Sequence, residues 1–92
     1  MTAKTGKYRF LETIAWRKVD SEAVILNLET SEYYSANDAG SRIWELLGDG
    51  AASRKIAHAL SEEYGLPLEE AERDTEDFLA ELLKLDLIRA DA

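Results

Sequence analysis

The chain has 92 residues, of which 46% are hydrophobic and 33% charged, and it contains no cysteine. This is the composition of one soluble-type domain; it excludes disulfides, thiolate metal centres and a cysteine nucleophile, and no apolar run approaches the ~18 residues of a membrane span. The formal charge of −8 is uneven, about −2 over residues 1–50 and about −6 over residues 51–92, so phosphate backbones repel the second half and basic partners suit it better.

Residues 1–7 are polar and aperiodic, without the apolar stretch of a signal peptide. They predict a flexible N-terminus ahead of a single domain over residues 8–90, and a cytoplasmic protein. From Thr13 to Val19 the alternation predicts a strand with Ile14 and Trp16 on one face. Asp20-Ser21-Glu22 turns the chain into Ala23-Val24-Ile25-Leu26-Asn27-Leu28, which reads as a central strand with Val24, Leu26 and Leu28 inward. After the polar turn at residues 29–32, Tyr33-Tyr34-Ser35 form a short third strand, and the end of such a meander has one open edge.

The period then changes from two to about 3.6. Asn37 is a good N-cap for a helix lined by Ala39, Ile43, Leu46 and Leu47 that ends at Gly48. Ser53 is expected to cap a second, in which Ile56, Leu60 and Tyr64 recur and Gly65 and Pro67 close the segment. The third is the longest: Glu69, Glu70 and Glu72 load its start, and Ala71, Thr75, Phe78, Leu82 and Leu85 form a stripe that Leu79 and Leu83 widen. Leu87-Ile88-Arg89 are expected to be a last short extended piece. Three strands followed by three helices define an α+β, winged-helix-like fold with a three-stranded antiparallel sheet.

Little of this carries chemistry. His58 has no second imidazole or thiolate to complete a metal site, the carboxylates crowd one helix as a solvated face, and the glycines make no phosphate loop. No metal, cofactor or catalytic residue is expected, and the non-enzyme reading follows. Two recognition surfaces remain: the open edge of Tyr33-Tyr34-Ser35, whose backbone can pair with an extended peptide, and the broad stripe of the third helix beside it. Both are needed. A backbone hydrogen bond nets only ~1 kcal/mol while ordering each peptide residue costs ~1–2 kcal/mol, so apolar anchors at ~1.5–3 kcal/mol each supply the surplus.

The order and spacing of Trp16, Val24-Ile25-Leu26-Asn27-Leu28, Tyr33-Tyr34-Ser35-Ala36-Asn37, Gly40-Ser41-Arg42-Ile43-Trp44-Glu45-Leu46-Leu47, Ile56-Ala57-His58-Ala59-Leu60, Asp74-Thr75-Glu76-Asp77-Phe78-Leu79-Ala80-Glu81-Leu82 and Leu87-Ile88 are similar to those of the PqqD family of precursor-peptide recognition domains. The resemblance implies a non-catalytic chaperone that binds the leader of a ribosomally made precursor by strand addition. It would present that leader to a modifying enzyme, often a radical S-adenosylmethionine enzyme, in the synthesis of pyrroloquinoline quinone or related peptide products. It also implies peptide contacts at Tyr33, Tyr34, Ser35, Thr75, Phe78, Leu79 and Leu82. Ala36, Thr75 and Asp86 depart from the family pattern, which commonly has Leu, a branched apolar residue and Gly there. The rival reading is a winged-helix DNA-binding regulator, which the acidic third helix opposes. A homodimer formed through the open strand is compatible with the first reading.

Overall fold

The computed structural model describes residues 6–90. Its elements in chain order are β1 (Tyr8–Phe10), β2 (Ile14–Val19), β3 (Glu22–Asn27), β4 (Glu32–Ser35), α1 (Asp38–Gly48), α2 (Ser53–Tyr64), α3 (Leu68–Lys84) and β5 (Ile88–Ala90). Strands β2, β3 and β4 form the expected antiparallel meander, and β1 pairs with β5 in a separate two-stranded ribbon. That ribbon draws the start of the domain onto its end: Phe10 lies opposite Ile88, and the Leu11 N–H donates to the Leu87 carbonyl at 3.2 Å. Residues 1–5 of the expected flexible terminus lie outside the described residues; Gly6 is tied down, its carbonyl accepting from the Ser53 N–H at 2.7 Å.

The central strand inverts the face read from sequence. Ala23, Ile25 and Asn27 are buried, whereas Val24 and Leu26 are half-buried and Leu28 is exposed. The strand is apolar on both faces, so alternation could not decide its parity. Polar contacts decide it: the buried Ser41 Oγ accepts from the Ala23 N–H at 2.6 Å and donates to the Ala36 carbonyl at 3.0 Å, inserting one hydroxyl of α1 between β3 and the end of β4. At the other end Asn27 Oδ1 accepts from the N–H groups of Glu29 and Thr30 and organises the β3–β4 turn. An inward Asn is therefore tolerated because its oxygen is used.

Helix α1 begins as expected, with the Asn37 side chain accepting from the Gly40 N–H at 2.8 Å. In α2 the cap position is Ala52, with no side-chain bond, and Ser53 is the first helical residue. The backbone tie of Ser53 to Gly6 takes up an N–H that a cap side chain would otherwise satisfy. Gly65 closes α2 at φ 67°, a left-handed conformation suited to glycine. Helix α3 ends in a Schellman motif: the N–H groups of Asp86 and Leu87 donate to the carbonyls of Leu83 and Leu82, and Asp86 takes φ 58°. Leu87 thereby turns back into the core beside Leu82, and both are buried.

The core joins Ile25 of the sheet to Ile43, Trp44 and Leu47 of α1, Ile56 and Leu60 of α2, and Leu79 and Leu82 of α3. An aromatic cluster closes one end: Phe10 stacks on the fully buried Trp44 at 4.1 Å between ring centroids, and Trp16 meets both rings edge-on at about 6 Å. Tyr64 and Leu83, both counted in helix stripes from the sequence, lie outside the buried core at 39% exposure each, and the Tyr64 hydroxyl donates to the Asp38 carbonyl.

Candidate functional site

Strand β4 pairs only with β3 among the described residues and forms one edge of the meander. Cross-strand bonds alternate along an antiparallel pair. Because the Ala36 N–H donates to the Ala23 carbonyl, Tyr34 and Glu32 fall in the set bonded to β3, which leaves the N–H and C=O groups of Tyr33 and Ser35 aimed outward. Both residues are exposed, Tyr33 by 70%.

Behind that edge runs a groove of about 290 Å³ between β4 and α3. Ile25, Tyr34, Ala36 and Leu87 form its sheet-side wall and floor; Phe78, Glu81, Leu82 and Leu85 of α3 form the other wall. The four helix residues follow the spacing i, i+3, i+4, i+7 of a single face. Phe78 is fixed in place: a Cβ added to Gly40 of α1 would lie 3.1 Å from its ring, so the glycine is what lets the ring settle against the start of α1. Ala36 is buried where the groove meets the core and contributes only a methyl group to its lining.

Of the residues expected at the site, Tyr33, Tyr34, Ser35, Phe78 and Leu82 line this groove together. Thr75 and Leu79 do not; they are 1% and 2% exposed, in the core on another side of α3. Leu85, which the sequence places in the apolar stripe of α3 but not among the peptide contacts, also lines the groove, and so does Glu81, which the sequence does not mark. Their signal was present in the helical spacing from Phe78, and the charge of Glu81 hid it.

Polar groups frame the groove. The Tyr34 hydroxyl donates to Glu32 Oε1 at 3.1 Å, and burial, with this carboxylate second, raises the phenol's pKa above its ordinary value. Glu81 is exposed at the rim and is the only charged side chain in the lining among the described residues. A wider polar cleft of about 760 Å³ adjoins the groove, sharing Tyr34 and Leu85, with Arg9, Lys84 and Arg89 set among Glu12, Glu29 and Asp86. Among the described residues no cluster of His, Asp or Glu has the makings of a metal site, and no helix is long and apolar enough to cross a membrane.

An edge strand beside an apolar cleft, on a meander followed by three helices, defines a domain able to take an extended chain as an added strand. The sequence profile of the PqqD family, coenzyme PQQ synthesis protein D, matches residues 22–88, and the chain belongs to that family. Two solved structures share its fold closely. TbiB1, in complex with the TbiA(beta) leader peptide, is 33% identical over 91% of this chain and 98% of its own, with a TM-score of 0.86. Lasso peptide synthetase B1, complexed with the leader peptide, is 26% identical over 90% of this chain and 98% of its own, with a TM-score of 0.84. No curated protein is similar enough to the chain to count as a relative.

Proposed function

We propose that the protein is a non-catalytic leader-peptide carrier that binds the leader of a ribosomally made precursor along β4 and presents it to a modifying enzyme. The observation that carries this reading is the conjunction of the outward backbone groups of Tyr33 and Ser35 with the groove lined by Tyr34, Phe78, Leu82 and Leu85. The two leader-bound structures of the same fold support it. The leader adds a strand on β4, and two of its apolar side chains enter the groove as anchors. Glu81 favours a basic or donor side chain at the rim. Thr75 and Leu79 serve the packing that holds the groove wall and take no direct part.

The client enzyme fits either a radical S-adenosylmethionine enzyme, as the PqqD resemblance implies, or an enzyme of lasso peptide synthesis, since the second leader-bound neighbour is itself named lasso peptide synthetase B1; that neighbour favours the latter. The work is done in the cytoplasm, where precursors are made, and needs no cofactor. Nucleic acid is not a partner: the exposed face of α3 presents Glu69, Glu70, Glu72, Asp74, Glu76 and Asp77. A homodimer paired through β4 would occupy the same edge and compete with the leader.

The test is the affinity of a labelled leader from the precursor gene nearest the protein's own. Ser35→Pro removes an outward N–H without touching a bond to β3, and Glu81→Lys reverses the rim charge. Each should weaken binding about tenfold with circular dichroism unchanged. Wild-type affinity in both folded variants would refute the site.

A further inference from the structure

The outward face of the β2–β3–β4 sheet is apolar yet uncovered. Register places Ala15, Arg17 and Val19 of β2, Glu22, Val24 and Leu26 of β3, and Tyr33 and Ser35 of β4 on that face, and Leu28 continues it; the charged Glu22 and Arg17 lie towards the Val19 end, and the rest of the face is mostly apolar. Tyr33, Leu28 and Val19 are 70%, 57% and 45% exposed. An antiparallel sheet with one face in water alternates apolar-in with polar-out. Strand β3 breaks that rule with Val24-Ile25-Leu26, apolar on both sides, although the helices pack against one side only. Its composition is that of a strand covered twice, and contiguous exposed apolar surface of this kind marks an interaction site.

We infer that this face is the docking surface for the modifying enzyme, distinct from the leader groove and working beside it. Two observations choose this occupant. Tyr33 belongs both to this face and to the edge at which the leader is proposed to bind, so a protein seated here also lies against the outward side chains of the added strand. That continuity suits the enzyme that must receive the rest of the precursor. A second copy is disfavoured because each chain carries a formal charge of −8. The partner surface therefore has an apolar patch with an acidic side chain to meet Arg17, set in a basic surround that complements this domain's charge. The enzyme's role as client rests on the proposed function; the existence of a covered face does not.

The experiment measures binding of the modifying enzyme encoded beside this chain, by biolayer interferometry, to wild type, Val19→Lys/Leu28→Lys and Arg17→Glu. All three positions lie outside the groove, and Arg17 is exposed, so its variant keeps the test valid if the double variant folds poorly. The expected result is a loss of enzyme affinity of about tenfold or more in both variants, with leader affinity within about twofold of wild type. Unchanged enzyme affinity in the folded variants overturns the inference. So does sedimentation equilibrium showing a wild-type dimer that the variants dissociate, which would assign the face to a second copy. Loss of leader binding by the groove variants without loss of enzyme binding keeps the two surfaces separate, and a wild type that binds enzyme but no leader refutes the proposed function alone.

Discussion

Replacing Thr75 by Val should make the protein more stable while leaving leader binding untouched. Thr75 is 1% exposed within α3, and its Oγ1 is buried without a hydrogen-bond partner among the described residues. An unsatisfied buried hydroxyl costs about 1–3 kcal/mol. Valine keeps the β-branched shape and nearly the same helix propensity, so the exchange removes the orphan polar group and opens no cavity. A gain of about 1 kcal/mol, the low end of that range, corresponds to a rise in Tm of about 4–8 °C for a domain of this size. Thr75→Ser is the control: it keeps the hydroxyl and loses a methyl, and should destabilise by about 1 kcal/mol. Urea unfolding followed by tryptophan fluorescence reads both, since Trp44 is fully buried. A neutral or destabilising Thr75→Val with an unchanged m-value would show that the hydroxyl has a partner and that the reasoning is wrong. A fall in leader affinity in the same variant would put Thr75 at the peptide, where the family resemblance had placed it.

Ser41→Ala strands the buried Ala23 N–H and Ala36 carbonyl that one hydroxyl now serves, and should cost about 2–3 kcal/mol in denaturant unfolding. Asp86→Gly relieves a non-glycine residue at φ 58° in the turn after α3 and should raise stability by about 0.5–1 kcal/mol, read as a higher urea midpoint. Glu45 has its pKa lowered chiefly by the hydrogen bond from Lys18, at 2.8 Å, against the opposing effect of burial, with Arg42 helping. Because the folded value lies below the ordinary 4.5, its contribution is complete above about that pH and lost as the pH falls through the folded value. Glu45→Gln should thus cost about 0.2–1 kcal/mol at pH 7, the scale of a part-exposed pair, with a gap from wild type that closes as acid protonates the carboxyl. A gap that persists at low pH would contradict the ion-pair explanation.

The sequence was most legible where one physical cause acts locally. Asn37 caps α1, Gly65 ends α2, and the acidic start of α3 sits at the positive end of its dipole. It was least legible where distant contacts choose between equivalent local options. The parity of β3 depends on Ser41, eighteen residues away, inserting its hydroxyl at Ala23. Pairing of Tyr8–Phe10 with Ile88–Ala90 joins the two ends of the domain, and no local pattern announces it. The candidate site divides in the same way. The edge of β4 follows from a three-strand meander, and Phe78 and Leu82 from helical period. Which of Thr75, Leu79, Glu81 and Leu85 face the groove depends on how α3 is rolled against α2, which the width of its apolar stripe leaves open.

The most direct test of the account is a titration of the 15N-labelled protein with leader peptide, followed by amide chemical shifts. The largest changes are expected at Tyr33 and Ser35 on the edge of β4, and along α3 from Phe78 to Leu85 on the groove wall. Changes confined to α1 and α2, or to the opposite edge strand β2, would contradict it.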